Sequence, residues 1–410
     1  MFPGKEPGKA GVREPTTSSE AKFPLGGLLA LSAAIFVSMA TEFLPGGLIP
    51  NIAAEFGLSP GEVGNLITVF ALTVILTAAP FAAVTRRLPR KTMLLIAFGL
   101  IGLGNLGMVL APSFESMLAA RVVGACAHGA FWSVAAAYAA HIVRPVHLGK
   151  ATAVIAAGGS VAGVVGLPLG NALGQAFGWR VSFAGLAGLV VIVFFLIAWQ
   201  LPAAPSLNAR TGLATSRVYR DRSWPAVMMI CLIIVLAVGA QTSFGTFNVL
   251  WLLDVVRIAP PAVPVLLFVG GVASALGVAL IGAFYNKMPG RLFLGSIAVL
   301  VVLLFALPTI AHSQLAVWVV SAVMALVFAG VPVMLQIRMM LTASANLRNL
   351  AAALQTTAFN VGIGGGALLG GIAIDRTSLG AIPTWAGIAM GLAFATAAFW
   401  ELAVHRRNRQ

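Results

Sequence analysis

Ala82-Ala-Val-Thr-Arg-Arg-Leu-Pro-Arg-Lys91 and Gly282-Ala-Phe-Tyr-Asn-Lys-Met-Pro-Gly-Arg291 are two short basic turns, each with proline at its eighth position. Both lie between long apolar runs. Working outward from them, runs of similar length cover roughly 23–50, 61–84, 92–111, 116–140, 148–174 and 180–201. A second set covers roughly 225–249, 261–285, 292–311, 315–340, 349–374 and 380–404. A helix needs about 20 apolar residues to cross a bilayer, so each run is long enough. The two sets flank a polar stretch, Pro202–Ser223, which carries Pro205, Arg210, Arg217, Arg220, Asp221 and Arg222 and reads as a linker. The basic turn follows the second run of each set, which supports two parallel six-helix repeats. The expected architecture is therefore all-α and integral to the membrane, with pseudo-symmetric bundles over 23–201 and 224–404. Polar tails at 1–22 and 405–410 complete the chain.

Composition agrees. Of 410 residues, 60% are hydrophobic and 9% charged, against about 45–50% and about 25% in soluble chains. An ordinary soluble enzyme, a disordered protein and a coiled coil are excluded. The formal charge of +14 could suggest nucleic acid in a soluble chain. Here the positive-inside rule explains it. With the N-terminus in the cytoplasm, all lysines and arginines fall on the inner side except Arg180, Arg257 and Arg376 outside and Arg121 within a span. Both termini are thus expected in the cytoplasm. Residues 1–22 read as a disordered tail rather than a signal peptide, because no short apolar region with a cleavage site follows. Cys126 and Cys231 lie inside apolar runs and give neither a disulfide framework nor metal-ligand spacing. No cofactor or metal is expected.

Twelve runs, a central linker and the turn at 82–91 resemble the major facilitator superfamily. The turn is similar to its Gly-x-Leu-Ala-Asp-Arg-x-Gly-Arg-Lys signature: Arg87, Arg90 and Lys91 match the basic positions. Ala82 replaces the first Gly, Pro89 the second and Arg86 the Asp, which puts the usual charge-relay gate in doubt. Gly159-Ser-Val-Ala-Gly163-Val-Val-Gly-Leu-Pro168-Leu-Gly170 resembles the Gly/Pro motif of the drug:proton antiporter branch. Thr41-Glu42-Phe-Leu-Pro45, the stretch Arg121–Trp132, Gly174-Gln-Ala-Phe-Gly-Trp-Arg180 and the stretch from Phe359 to Leu368 are similar to the bacterial sugar-efflux group. Related groups export purine ribonucleosides or chloramphenicol. The resemblance implies a major facilitator fold in the bacterial cytoplasmic membrane. It also implies export of a small neutral hydroxylated solute against protons by a monomer, with no nucleic-acid partner.

Among the 11 acids, only Glu42 lies within a span away from a boundary. An intramembrane carboxylate is costly and normally faces a cavity or partner, and a carboxyl that gains and loses a proton suits proton coupling. The plainer reading is that Glu42 reaches the outer headgroups. Arg121 sits at a similar depth in span 4 and can pair with Glu42, compete for its proton, or snorkel outward. His128 is two turns inward on the face of Arg121; it carries a proton, binds a hydroxyl or simply packs. Phe131 and Trp132 form either a stacking surface for a ring or core packing.

In the second half, Gln241, Phe244 and Asn248 are spaced to share a helical stripe. Asn360, with Thr356 one turn earlier, makes a similar spot. Uncharged amides suit a neutral polyol, yet each serves equally as interhelical glue. The glycines around Gly159, Gly163 and Gly170, and those from Gly362 to Gly371, read as packing and rocking surfaces; no phosphate loop is present. Pro168 and Pro332 are expected to kink their helices. A membrane-embedded enzyme would need clustered acids, paired histidines or a metal set. A channel would need rings of like side chains from symmetric subunits.

Overall fold

Backbone polar groups have no water to bond with inside lipid, so a chain this apolar satisfies them within helices. The computed structural model describes residues 23–85, 88–203 and 221–407. The expected N-terminal tail, most of the linker, Arg86 and Arg87, and the last three residues lie outside them.

The helices are α1 (Leu25–Phe56), α2 (Pro60–Thr85), α3 (Arg90–Leu110), α4 (Phe114–Ile142), α5 (Leu148–Phe177) and α6 (Trp179–Gln200). The second half has α7 (Trp224–Asp254), α8 (Val263–Phe284), α9 (Pro289–Ile310), α10 (Gln314–Thr342), α11 (Arg348–Arg376) and α12 (Ile382–Arg407). Among the described residues, 11 helices are long and apolar enough to cross a membrane; α4 completes the set. The two halves repeat in close register, with α4 starting at Phe114 and α10 at Gln314, and α5 ending at Phe177 and α11 at Arg376. Packing repeats too. In the first half α1 packs on α5 and α6, α2 on α4, and α3 on α4 and α6. In the second α7 packs on α11 and α12, α8 on α10, and α9 on α10 and α12. Even the turns that follow match: Gly57 (φ 65) ends α1, and Arg257 (φ 60) takes the same left-handed backbone after α7.

Local chemistry sets the ends and breaks. Ser59 and Glu62 form a reciprocal capping box at the start of α2: Glu62 Oε2 accepts from the Ser59 N–H at 2.7 Å, and Ser59 Oγ accepts from the Glu62 N–H at 3.1 Å. α1 continues past Pro50 to Phe56, beyond its expected end. α5 carries a π-helical segment, Ala162–Gly166, just before Pro168. The wider turn accommodates a residue that cannot donate to the preceding turn. α7 breaks at Thr246 and Phe247 and resumes as Asn248–Asp254, so the Gln241, Phe244 and Asn248 stripe is interrupted.

Candidate functional site

α1 passes through the first half beside α4. Arg121 on α4 is 2% exposed and points its guanidinium at backbone rather than at a carboxylate. Nη1 donates to the Thr41 carbonyl (2.7 Å), Nη2 to the Glu42 carbonyl (3.0 Å) and Nε to the Leu66 carbonyl of α2 (3.1 Å). The Phe70 ring lies under it, with Cζ 4.1 Å from the centroid. Asn105 on α3 donates to Thr41 Oγ1 at 3.0 Å. One arginine thus joins three helices.

Two helical turns along α4, His128 Nε2 stands 3.5 Å from Glu42 Oε2. Both side chains are buried, each 5% exposed. The other ring nitrogen, Nδ1, is 2.9 Å from Ser38 Oγ. With Ser38 donating, Nε2 carries the hydrogen and faces the carboxyl. Phe70 and Trp132 border the imidazole, at centroid distances of 5.1 and 6.1 Å. The structure therefore gathers Glu42, Arg121, His128 and Trp132 in one place. Ser38 and Asn105 escaped the sequence reading; the available signal was Ser38 lying one helical turn before Glu42.

Other expected residues are placed differently. Phe131 is fully buried against Phe98, in the packed core of the first half. In the second half Phe244 is buried edge-on against Trp251. Gln241 Oε1 is buried without a hydrogen-bond partner. Asn360 donates to the Thr356 carbonyl of its own helix at 3.0 Å. In the basic turn, Lys91 donates to the Ala198 carbonyl at 2.7 Å, closing the end of α6. Arg90 is 7% exposed, and its Nε and Nη1 lack hydrogen-bond partners. Arg87 lies outside the described residues. Among the described residues, every buried Asp, Glu, Lys, Arg or His (Glu42, Arg90, Arg121, His128) belongs to the first half.

The halves meet along one end of the bundle. Ser59 donates to Asp375 Oδ2 at 3.4 Å, and Thr68 donates to the Gly364 carbonyl at 3.2 Å, joining α2 to α11. A Cβ on Gly371 would come within 3.0 Å of Gly61 Cα, and one on Gly271 of α8 within 2.5 Å of Val164 Cα in the π segment of α5. α1 approaches α7 at its break: a Cβ on Gly46 would lie 3.3 Å from the Thr246 carbonyl. Glycine is required here by close approach of two backbones. At the other end Lys91 bonds Ala198 within the first half, while Tyr138 of the first half bonds Pro202 and Ser344 of the second bonds Asp221, at the two ends of the linker.

This arrangement has counterparts. The sequence model described as Major Facilitator Superfamily matches residues 31–367. The chain is 31% identical over 388 residues to a "Probable sugar efflux transporter" of Helicobacter acinonychis, covering 94% of this chain and 96% of that protein. A protein of the same description from Helicobacter pylori is 32% identical over 392 residues, with the same coverage. Among solved structures, a peptide transporter POT in complex with alafosfalin superposes with a TM-score of 0.76 at 10% identity, covering 94% of this chain and 95% of that one. A bacterial homologue of the lysosomal transporter Spinster, inward-facing and occupied, gives 0.70 at 17% identity, covering 92% and 96%. Two six-helix bundles in repeat, a buried polar cluster on α1 and α4, and these matches lead to one conclusion: the chain belongs to the Major Facilitator Superfamily and is a multi-pass membrane transporter.

Proposed function

We propose that the protein exports a small neutral hydroxylated solute, of the sugar class, in exchange for protons by alternating access. The observation that carries the reading is the buried Glu42–His128 pair, 3.5 Å apart, on two helices of one bundle. A carboxyl and an imidazole at this distance can share, accept and release a proton while remaining in place. The relatives described as probable sugar efflux transporters support the substrate class, as do the uncharged amides of the second half, including the unpartnered Gln241 Oε1. The lysine and arginine distribution supports cytoplasmic termini. With that orientation, the contacts of α2 with α11 and of α5 with α8 would lie toward the outer side, which suits a state closed outward. Protonation of the pair on one side and release on the other drives export if proton and solute favour different states.

The test is solute transport in proteoliposomes by the wild type and Glu42→Gln. The variant is expected to retain counterflow of labelled sugar and to lose pH-driven accumulation. A variant that still concentrates sugar against its gradient removes Glu42 from coupling. Wild type that transports nucleosides or amphenicols but no sugar reassigns the substrate.

A further inference from the structure

We infer that Arg121 is a positioning residue that supplies the hydrogen-bond donor Pro45 takes out of α1, and so sets the turn carrying Glu42. In an unbroken helix the N–H of residue 45 would donate to the carbonyl of residue 41. Proline has no N–H, and its ring pushes that carbonyl aside. Thr41 is 4% exposed, so no water can replace the lost bond, and an open carbonyl within the membrane is strongly unfavourable. Arg121 Nη1 fills the vacancy with the shortest of its three bonds, 2.7 Å. Nη2 takes the next carbonyl, that of Glu42, and Nε fastens the assembly to Leu66 on α2.

This differs from an ion pair. All three nitrogens are spent on carbonyls, and the Glu42 carboxyl turns to His128 instead. Phe70 on α2, under the guanidinium, and Asn105 on α3, bonded to Thr41 Oγ1, are uncharged. Arg121 thus acts on Glu42 through the backbone, fixing the carboxyl's distance from the imidazole.

A double-variant cycle tests this. Its pH arm rests on the proton reading of Glu42, whereas counterflow uses no proton gradient and reads Arg121 independently. Arg121→Gln alone is expected to lower counterflow about tenfold and to move the pH midpoint of driven export. In a Pro45→Ala background the restored N–H serves Thr41. The same Arg121→Gln then costs less than about threefold, and the midpoint returns to that of Pro45→Ala. Arg121→Lys, a single point charge without the planar fork, falls between. Equal losses in both backgrounds overturn the proposal and make the charge itself the requirement. A pH midpoint unmoved by Arg121→Gln reduces the residue to a folding role and also overturns it. Should Arg121→Gln fail to fold, recovery of folded yield by Pro45→Ala supports the proposal, and no recovery sinks it. Loss of proton dependence in Glu42→Gln without rescue, or rescue with proton dependence intact, separates the two hypotheses.

Discussion

The Ser59 hydroxyl donates to Asp375 Oδ2 across 3.4 Å, linking the cap of α2 to the last turn of α11 and thereby one half of the transporter to the other. The carboxylate also lies over Gly61, where any Cβ would collide with it, in the favourable field of a helix N-terminus.

Breaking this contact should release the closed end. A single exposed hydrogen bond contributes about 0.5–1.5 kcal/mol. Asp375→Asn or Ser59→Ala is therefore expected to shift the conformational equilibrium about threefold to tenfold toward opening at this end. Spin-label distances between the starts of α2 and the ends of α11 measure it. Unchanged distance distributions would remove the latch.

His128 and Glu42 should be separable by pH. Replacing His128 with Asn removes the ring nitrogen facing the carboxyl while keeping a partner for Ser38. Driven export should fall by at least about tenfold, with counterflow largely retained. Proton-driven flux across a series of pH values, with wild type and variant side by side, is the measurement. Superimposable profiles would exclude the imidazole.

Two glycines in one helix make a matched stability test. A Cβ on Gly158 would overlap the Ser32 carbonyl of α1, whereas one on Gly163 meets nothing within 4 Å. Gly158→Ala should destabilise by about 1–3 kcal/mol or prevent folding, and Gly163→Ala should be near neutral. Thermal unfolding in detergent reports both.

Asp221 offers a pH-dependent contact outside the membrane. The hydrogen bond from Ser344 Oγ (2.7 Å), followed by those from Ser223, holds its carboxyl below the usual carboxylate range. A lowered value means that the charged form is bound more tightly in the folded protein. The contact is complete at neutral pH and disappears as pH falls through the lowered value. Asp221→Asn should thus melt below wild type at pH 7, and the two curves should converge once the pH has fallen below the lowered value.

Much of the fold was legible because lipid leaves the backbone few choices. Twelve apolar runs became twelve helices among the described residues. Glu42, Arg121 and His128 came together because helix periodicity and depth already constrained them. What stayed hidden were responses of neighbouring helices to one another. The π segment, which lies against α8, and the break at Thr246 and Phe247, where α1 approaches α7, carry no periodicity signal of their own. Phe131 shared a stretch with Trp132, but a single residue's rotation around α4 sends it into the core. The carbonyl partners of Arg121 were invisible because periodicity speaks of side chains, while the missing donor of Pro45 is a backbone property.

The near-identical halves carry unlike electrostatics. At positions corresponding in register to Glu42, Arg121 and His128, the second half has Thr242, Ser321 and Phe328. Among the described residues the buried ionisable side chains all lie in the first half, and their counterparts in the second are neutral. As the halves rock, no buried opposite charges have to be pulled apart across the seam, and protonation can be settled within a single rigid body. The symmetric frame suits a rocking motion, and under the proposed function the asymmetry would confine proton exchange to one half and leave the other to recognise the solute.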